Sequence, residues 1–166
     1  MNNYIYLNQN KMGDCCSRID IKRSLPEELL TKNGKISKEE IFKNNELIGI
    51  YFSAHWCPPC RQFTPILSNF YKKINANEKK LEIIFCSSDQ NENDFNEYFN
   101  SMPWTSIPYN SPSRNSLPSN LWIFSIPTLY VLDKNGEIID KNGRDSFWKY
   151  DEKSYDYWKS LLKVKN

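Results

Sequence analysis

The feature that most limits how this chain can fold is an apolar stretch that runs into two closely spaced thiols. Leu47-Ile48-Gly49-Ile50-Tyr51-Phe52-Ser53 is apolar almost without alternation, and Trp56-Cys57-Pro58-Pro59-Cys60 follows it directly. Beyond the thiols, Phe63, Ile66, Leu67, Phe70, Tyr71 and Ile74 recur at helical spacing, with Pro65 expected to kink the helix after its first turn. An apolar run followed by a helix reads as a central strand buried on both faces. A buried strand therefore delivers two thiols to a helix start.

That position has chemical consequences. The first turn of a helix presents unpaired N–H groups and the positive end of the helix dipole, which favour a thiolate over a thiol. A free thiol titrates near ~8.5, so any such bias raises the reactive fraction at neutral pH. Cys57 is the candidate nucleophile. Cys60, three residues on, falls on the same side of the first turn and within disulfide reach. Pro58 and Pro59 lack N–H groups that this turn leaves unpaired anyway, and they stiffen the dithiol loop.

Three other uses of the pair compete. As a staple, closing so short a loop removes only about 2 kcal/mol of unfolded-chain entropy, against ~3 kcal/mol for a fifteen-residue loop. As half of a zinc site it lacks a second Cys-x-x-Cys or a His pair, and the only histidine, His55, stands beside the motif. No metal is expected. Chance proximity of two buried thiols does not account for the strand, the Trp and the two prolines around them.

The remainder of the chain narrows the class. Its 166 residues suit one domain with a short appendage: a loose tail over 1–24 and a domain over 25–166. The net charge of +2 is spread over interspersed acidic and basic residues, which argues against a nucleic-acid surface. Five cysteines, with Cys15 and Cys16 adjacent and Cys86 isolated, do not resemble a secreted disulfide framework. A reducing compartment is expected, cytoplasmic and possibly nuclear. No apolar stretch is long enough to cross a membrane, and the N-terminus lacks a signal-peptide pattern. Met12-Gly13-Asp14-Cys15-Cys16-Ser17 would fit dual acylation, and hence a membrane partner, only if Met12 were the true start.

In order along the chain, Asn33-Gly34 signals a hairpin turn, and Ser37-Lys38-Glu39-Glu40 has capping-box spacing for a brief helix. Leu81-Glu82-Ile83-Ile84-Phe85-Cys86 reads as a second buried strand, with Cys86 a small core hydrophobe, followed by a helix carrying Phe95, Tyr98 and Phe99. Parallel pairing through right-handed crossovers follows. The proline-rich stretch 102–109 suits neither helix nor central strand, and Pro118 weakens any helix over 110–120. A strand is expected over 124–132, with Ile126-Pro127 at its start, then a turn at Asp133-Lys134-Asn135-Gly136 into an edge strand. Tyr155, Trp158, Leu161 and Leu162 space out as an amphipathic closing helix.

These residues together resemble a known group. Ser53-Ala54-His55-Trp56-Cys57-Pro58-Pro59-Cys60-Arg61 with Phe63-Thr64-Pro65, then Phe85-Cys86-Ser87-Ser88-Asp89, Met102-Pro103-Trp104 and Ser125-Ile126-Pro127-Thr128-Leu129, are similar to the nucleoredoxin and tryparedoxin branch of the thioredoxin superfamily. The resemblance implies an α/β thioredoxin fold, a central mixed sheet with helices on both faces. It implies a cis Ile126–Pro127 bond, with Pro127 beside the dithiol where a substrate backbone meets the strand edge. Trp56 then flanks the nucleophile as a flat contact surface, and Gly143-Arg144-Asp145 lies in a loop from which Arg144 can take an anionic reductant. One departure stands out: Tyr51 occupies the position where ordinary thioredoxins carry a buried aspartate, so the proton acceptor for Cys60 is unassigned, and His55 is expected to face solvent at the rim.

The function implied is a thiol–disulfide oxidoreductase that reduces protein or small-molecule disulfides. It binds no cofactor; its redox group is the Cys57–Cys60 disulfide, reduced by an external dithiol or reductase. Its expected partners are disulfide-containing proteins and an upstream reductase or low-molecular-weight thiol, and it is expected to act as a monomer. The rival is a redox-responsive binding or regulatory protein with little turnover. A peroxidase fits poorly, because no Thr/Ser-x-x-Cys arrangement is present in context.

Overall fold

The structure, a computed structural model, describes residues 20–162, so the Met12 to Ser17 motif and most of the expected tail lie outside the described residues. From Asp20 onward the chain is already packed. Helix α1 (Ile21–Ser24), capped by the Asp20 side chain, buries Ile21 in the core, inside the stretch expected to be a loose tail.

Seven strands form one mixed sheet: β1 (Glu28–Thr31), β2 (Gly34–Ser37), β3 (Leu47–Ser53), β4 (Leu81–Ser87), β5 (Thr105–Ser106), β6 (Thr128–Asp133) and β7 (Ile138–Asp140). Their order is β2-β1-β5-β4-β3-β6-β7. Every residue of β3 and β4 is buried, as the unbroken apolar runs require. β3 pairs parallel with β4 and antiparallel with β6. Lys32 and Asn33 turn β1 into β2, one residue before the expected Asn33-Gly34 turn, and Gly34 opens β2 at φ 133, a conformation that side chains disfavour.

The pleat sorts the core into two layers. Leu47 and Tyr51 face α3 (Pro58–Ile74), α4 (Glu92–Asn100), α6 (Gly143–Tyr150) and α7 (Ser154–Leu162), through Phe63, Phe95, Phe147 and Trp158. Ile48, Ile50 and Phe52 face α1, α2 (Lys38–Asn44) and α5 (Ser113–Asn120), through Ile21, Phe42 and Leu117. Helices thus cover both faces of the sheet. The Ser37 hydroxyl caps α2 by accepting the Glu40 N–H at 3.2 Å.

Several elements differ from the sequence reading. α3 runs as one helix through Pro65, and Ile66, assigned to its buried stripe, is exposed. Helix α5 forms despite Pro118. A proline at position 118 cannot donate to the Arg114 carbonyl one turn back; the Cys86 thiol donates to that carbonyl instead, at 3.5 Å. The stretch 102–109 does enter the sheet: β5, set between Pro103 and Pro108, pairs parallel with β4 and antiparallel with β1. The ladder of β6 begins at Thr128, which leaves 124–126 outside it. Residues 143–145 form the first turn of α6 rather than a loop.

Gly143 allows that helix to start against the sheet. A Cβ there would lie 2.7 Å from the Leu129 carbonyl oxygen and 3.0 Å from Val131 Cγ2. Backbone cannot yield as a flexible side chain can. Gly143→Ala is expected to destabilise the fold by ~1–3 kcal/mol, read from the urea midpoint at unchanged slope.

Candidate active site

The end of β3 and the start of α3 place the two thiols. Cys57 is the N-cap of α3, with Pro58 and Pro59 in the first two helical positions. The Cys60 N–H donates to Cys57 Sγ at 3.3 Å, so a sulfur takes the place that a Ser or Asp oxygen takes in an ordinary cap. Cys57 and Cys60 are joined as a disulfide, with Cα atoms 5.2 Å apart. Cys60 is fully covered and Cys57 is 4% exposed, so an incoming disulfide meets Cys57 first.

Three loops surround that sulfur. Cys57 Sγ lies 3.8 Å from the Ile126 carbonyl oxygen, and the Ile126–Pro127 bond is cis. Trp56 is 55% exposed, and its Nε1–H donates to the Ser88 carbonyl at 3.2 Å. The His55 N–H donates to Asp89 Oδ1 at 2.7 Å, and the Ser87 hydroxyl donates to Asp89 Oδ2 at 2.8 Å. Arg114 Nη1 in turn donates to the carbonyls of Ser87 and Asp89, at 3.2 and 3.0 Å. Ser87-Ser88-Asp89 carries no site role in the sequence pattern alone. The available signal was a lone acid directly after a buried strand.

Beneath the β3 end, the described residues present hydroxyls in place of an acid. The Tyr51 and Thr64 hydroxyls are 2.8 Å apart, those of Thr64 and Tyr98 are 2.5 Å apart, and Ser53 lies 3.1 Å from Tyr98. Burial, the largest cause, pushes the Tyr51 phenol well above its ordinary range, so it stays neutral. His55, expected at the solvent rim, is partly covered and faces α4, 3.8 Å from Asp94 and 4.0 Å from Glu97. Arg144 lies in the first turn of α6, and its Nε is buried without a hydrogen-bond partner among the described residues. Trp148, one turn on, packs against Phe63, which itself follows Cys60 by about one turn.

The structure thus brings together Trp56, Cys57, Pro58, Pro59, Cys60, Ile126 and Pro127; Arg144 stands outside these contacts. No cluster of three His, Cys, Asp or Glu able to hold a metal occurs among the described residues. Burial pushes the free Cys86 thiol up to about 12, in keeping with a core role.

A family model described as thioredoxin-like matches residues 44–138. The chain belongs to the thioredoxin-like family. Bovine (Bos taurus) nucleoredoxin is 47% identical over 117 residues, 70% of this chain and 27% of that one. Tryparedoxin of Trypanosoma brucei brucei is 40% identical over 118 residues, 70% of this chain and 80% of that one. A solved structure of tryparedoxin from Trypanosoma brucei superposes with TM-score 0.75 at 34% identity, covering 84% of this chain and 97% of that one. The chain therefore spans about a quarter of the length of nucleoredoxin. The Cys57–Cys60 disulfide lies inside the matched region, at the start of α3.

Two measurements follow from this geometry. Asp89→Ala leaves the His55 N–H and the Ser87 hydroxyl without their acceptor and is expected to cost ~1–3 kcal/mol, read from the urea midpoint. Iodoacetamide at mildly alkaline pH should leave Cys86 unmodified in the folded protein and label it in guanidinium, as mapped by peptide mass.

Proposed function

We propose that this chain reduces disulfides in proteins or small molecules through the Cys57–Cys60 dithiol. The observation that carries the reading is Cys57 as the cap of α3, with its sulfur against the Ile126 carbonyl and Cys60 covered behind it. The Cys57 thiolate attacks one sulfur of the substrate disulfide. A Cys57–substrate disulfide forms, and the other substrate sulfur leaves as a thiolate. The Cys60 thiolate then attacks Cys57 Sγ, releasing the second substrate thiolate and closing the Cys57–Cys60 bond. Two electrons pass to the substrate, and an external dithiol or reductase returns them to the pair. The protein binds no separate cofactor in this scheme.

Direction is set by potential rather than by the motif. Related dithiols span about 150 mV, near 7 kcal/mol for two electrons, so the compartment decides which way they flow. A reducing compartment, cytoplasm or nucleus, suits net reduction of substrates. Trp56, Pro58, Pro59, Ile126 and Pro127 form the contact surface for the substrate. Arg144, with an unpaired Nε and a place in the first turn of α6, takes an anionic group on the reductant. We assign the protein as a monomer, with a domain that takes in the packed helix α1 ahead of 25–166.

The second reading, a redox-responsive binding protein, draws on the exposed aromatics Trp56, Trp122 and Phe124. Turnover separates the two. Insulin reduction driven by dithiothreitol should be abolished in Cys57→Ser, while Cys60→Ser should accumulate a mixed disulfide visible by intact mass. Full activity of Cys57→Ser overturns the proposal; redox-dependent partner binding with negligible turnover selects the regulatory reading.

A further inference from the structure

Arg114 makes more contacts than its place on a short helix requires. Its Nη1–H groups donate to the carbonyls of Ser87 and Asp89 at 3.2 and 3.0 Å, and its Nε–H donates to the Tyr109 carbonyl at 2.8 Å. The guanidinium also lies over the Tyr109 ring, with Cζ 4.4 Å from the centroid. A planar guanidinium presents its donors in a fixed fork, whereas a lysine ammonium is a single point on a flexible stem. The main chain of the same residue is held as well, since its carbonyl accepts the Cys86 thiol at 3.5 Å. Arg114 is thus tied at both ends, to β4 and to the segment that leaves it.

Helix α5 is poorly favoured by its own residues. Of its eight residues only Leu117 is buried, no side chain caps its N-terminus, and Pro118 stands inside it. A missing cap and an internal proline each work against a helix. What the helix delivers is Arg114, at the point where the β4 ladder has just ended with Ser87 opposite Ser53.

The two carbonyls that Arg114 grips flank a third. The Ser88 carbonyl, between them in the chain, accepts the Trp56 Nε1–H at 3.2 Å. Trp56 is 55% exposed, so packing alone does not orient the ring. We propose that Arg114 is the positioning residue for Trp56. Its fork fixes the Ser88 carbonyl from both sides, that carbonyl fixes the indole, and the indole meets the substrate already ordered. A side chain that is free before binding and held after it charges the complex for the freedom it loses, whereas a ring held beforehand adds no such cost. None of the Arg114 bonds involves Cys57 or Cys60. This inference rests on the reductase reading above, in which Trp56 is a substrate contact, and adds the residue on which that contact depends.

The test is steady-state reduction of insulin by the full chain, with electrons from dithiothreitol. In Arg114→Ala, KM for insulin should rise about threefold to tenfold while kcat changes by less than about twofold. A merely structural loss lowers the active fraction, and with it kcat, at unchanged KM; that result overturns the proposal. Arg114→Lys keeps the charge and most of the stem but cannot span two carbonyls, so its KM should rise as well. A wild-type KM in this variant overturns the fork. By NMR, exchange of the Trp56 Nε1–H with water should speed up in both variants, while the Trp158 Nε1–H, which donates to Asp140 Oδ2 at 3.0 Å, should exchange as in the wild type. Equal acceleration of both indoles means general loosening and overturns the proposal. Trp56→Phe lacks the N–H, so adding Arg114→Ala to it should leave KM where Trp56→Phe puts it, and a further rise of full size overturns the route through the indole. Absence of insulin reduction in the wild-type chain overturns the reductase reading itself, and indole exchange still decides whether Arg114 holds Trp56.

Discussion

The site depends on the pairing of β3 with two neighbours of opposite direction. β4 runs parallel to it, with Ser53 opposite Ser87, and β6 runs antiparallel, with Phe52 opposite Thr128. One end of β3 therefore gathers three chain segments: its own continuation into Cys57, the loop leaving β4 at Ser87, and the loop arriving at β6 through Pro127. A strand order of β4-β3-β6 sets the last two on opposite sides of the first. This register brings Cys57 and Ile126 together across 69 positions of sequence, and it holds only because all seven residues of β3 are buried on both faces. A one-residue slip would turn Tyr51 and Leu47 to the other layer of the core.

Polar groups near the sulfurs are arranged to stay neutral or to serve as structure. Three hydrogen bonds link Tyr51, Thr64, Tyr98 and Ser53, so each of the four hydroxyls has a partner in the aromatic core. The buried carboxylate of Asp89 is occupied from both sides, by the His55 N–H and the Ser87 hydroxyl. Its role is to hold the backbone just before Trp56, and Arg114 fastens the same loop from α5. The dithiol is thus braced by a carboxylate that does not touch it.

How much of this could be read from the residues alone follows from the range of the forces involved. The dithiol, β3 and α3 rest on local patterns, and each stands where the pattern puts it; the first hairpin forms too, with its turn one residue earlier than Asn33-Gly34. The family resemblance reached further, to the cis Ile126–Pro127 bond. What escaped depends on contacts distant in sequence. Pro118 argues against a helix until Cys86, on a strand across the core, supplies the missing donor to Arg114. Thr105 and Ser106 form a strand because β1 and β4 leave a place between them, not because of their own propensity. Arg144 heads a helix because Gly143 lets the backbone approach Leu129. Ile66 fits the helical stripe in spacing, yet no element of the described residues covers it and it stays exposed.

The two walls beside Cys57 differ in a way that bears on substrate approach. On the β4 side the polar groups are paired: the Asp89 side chain accepts the His55 N–H, the Ser88 carbonyl accepts the Trp56 Nε1–H and so fixes the exposed indole, and the Asp89 N–H donates to the Ser87 hydroxyl. That wall is rigid and offers a flat ring. On the β6 side the N–H groups of Phe124, Ser125 and Ile126 make no hydrogen bond among the described residues, and the rings of Trp122 and Phe124 are exposed. A ligand gains most from groups that are already ordered and still unpaired, since it then bears neither the cost of breaking an existing bond nor that of ordering a loop. Specificity at this dithiol is therefore expected to reside on the β6 side, where recognition groups remain unused, while the β4 side keeps Cys57 in place.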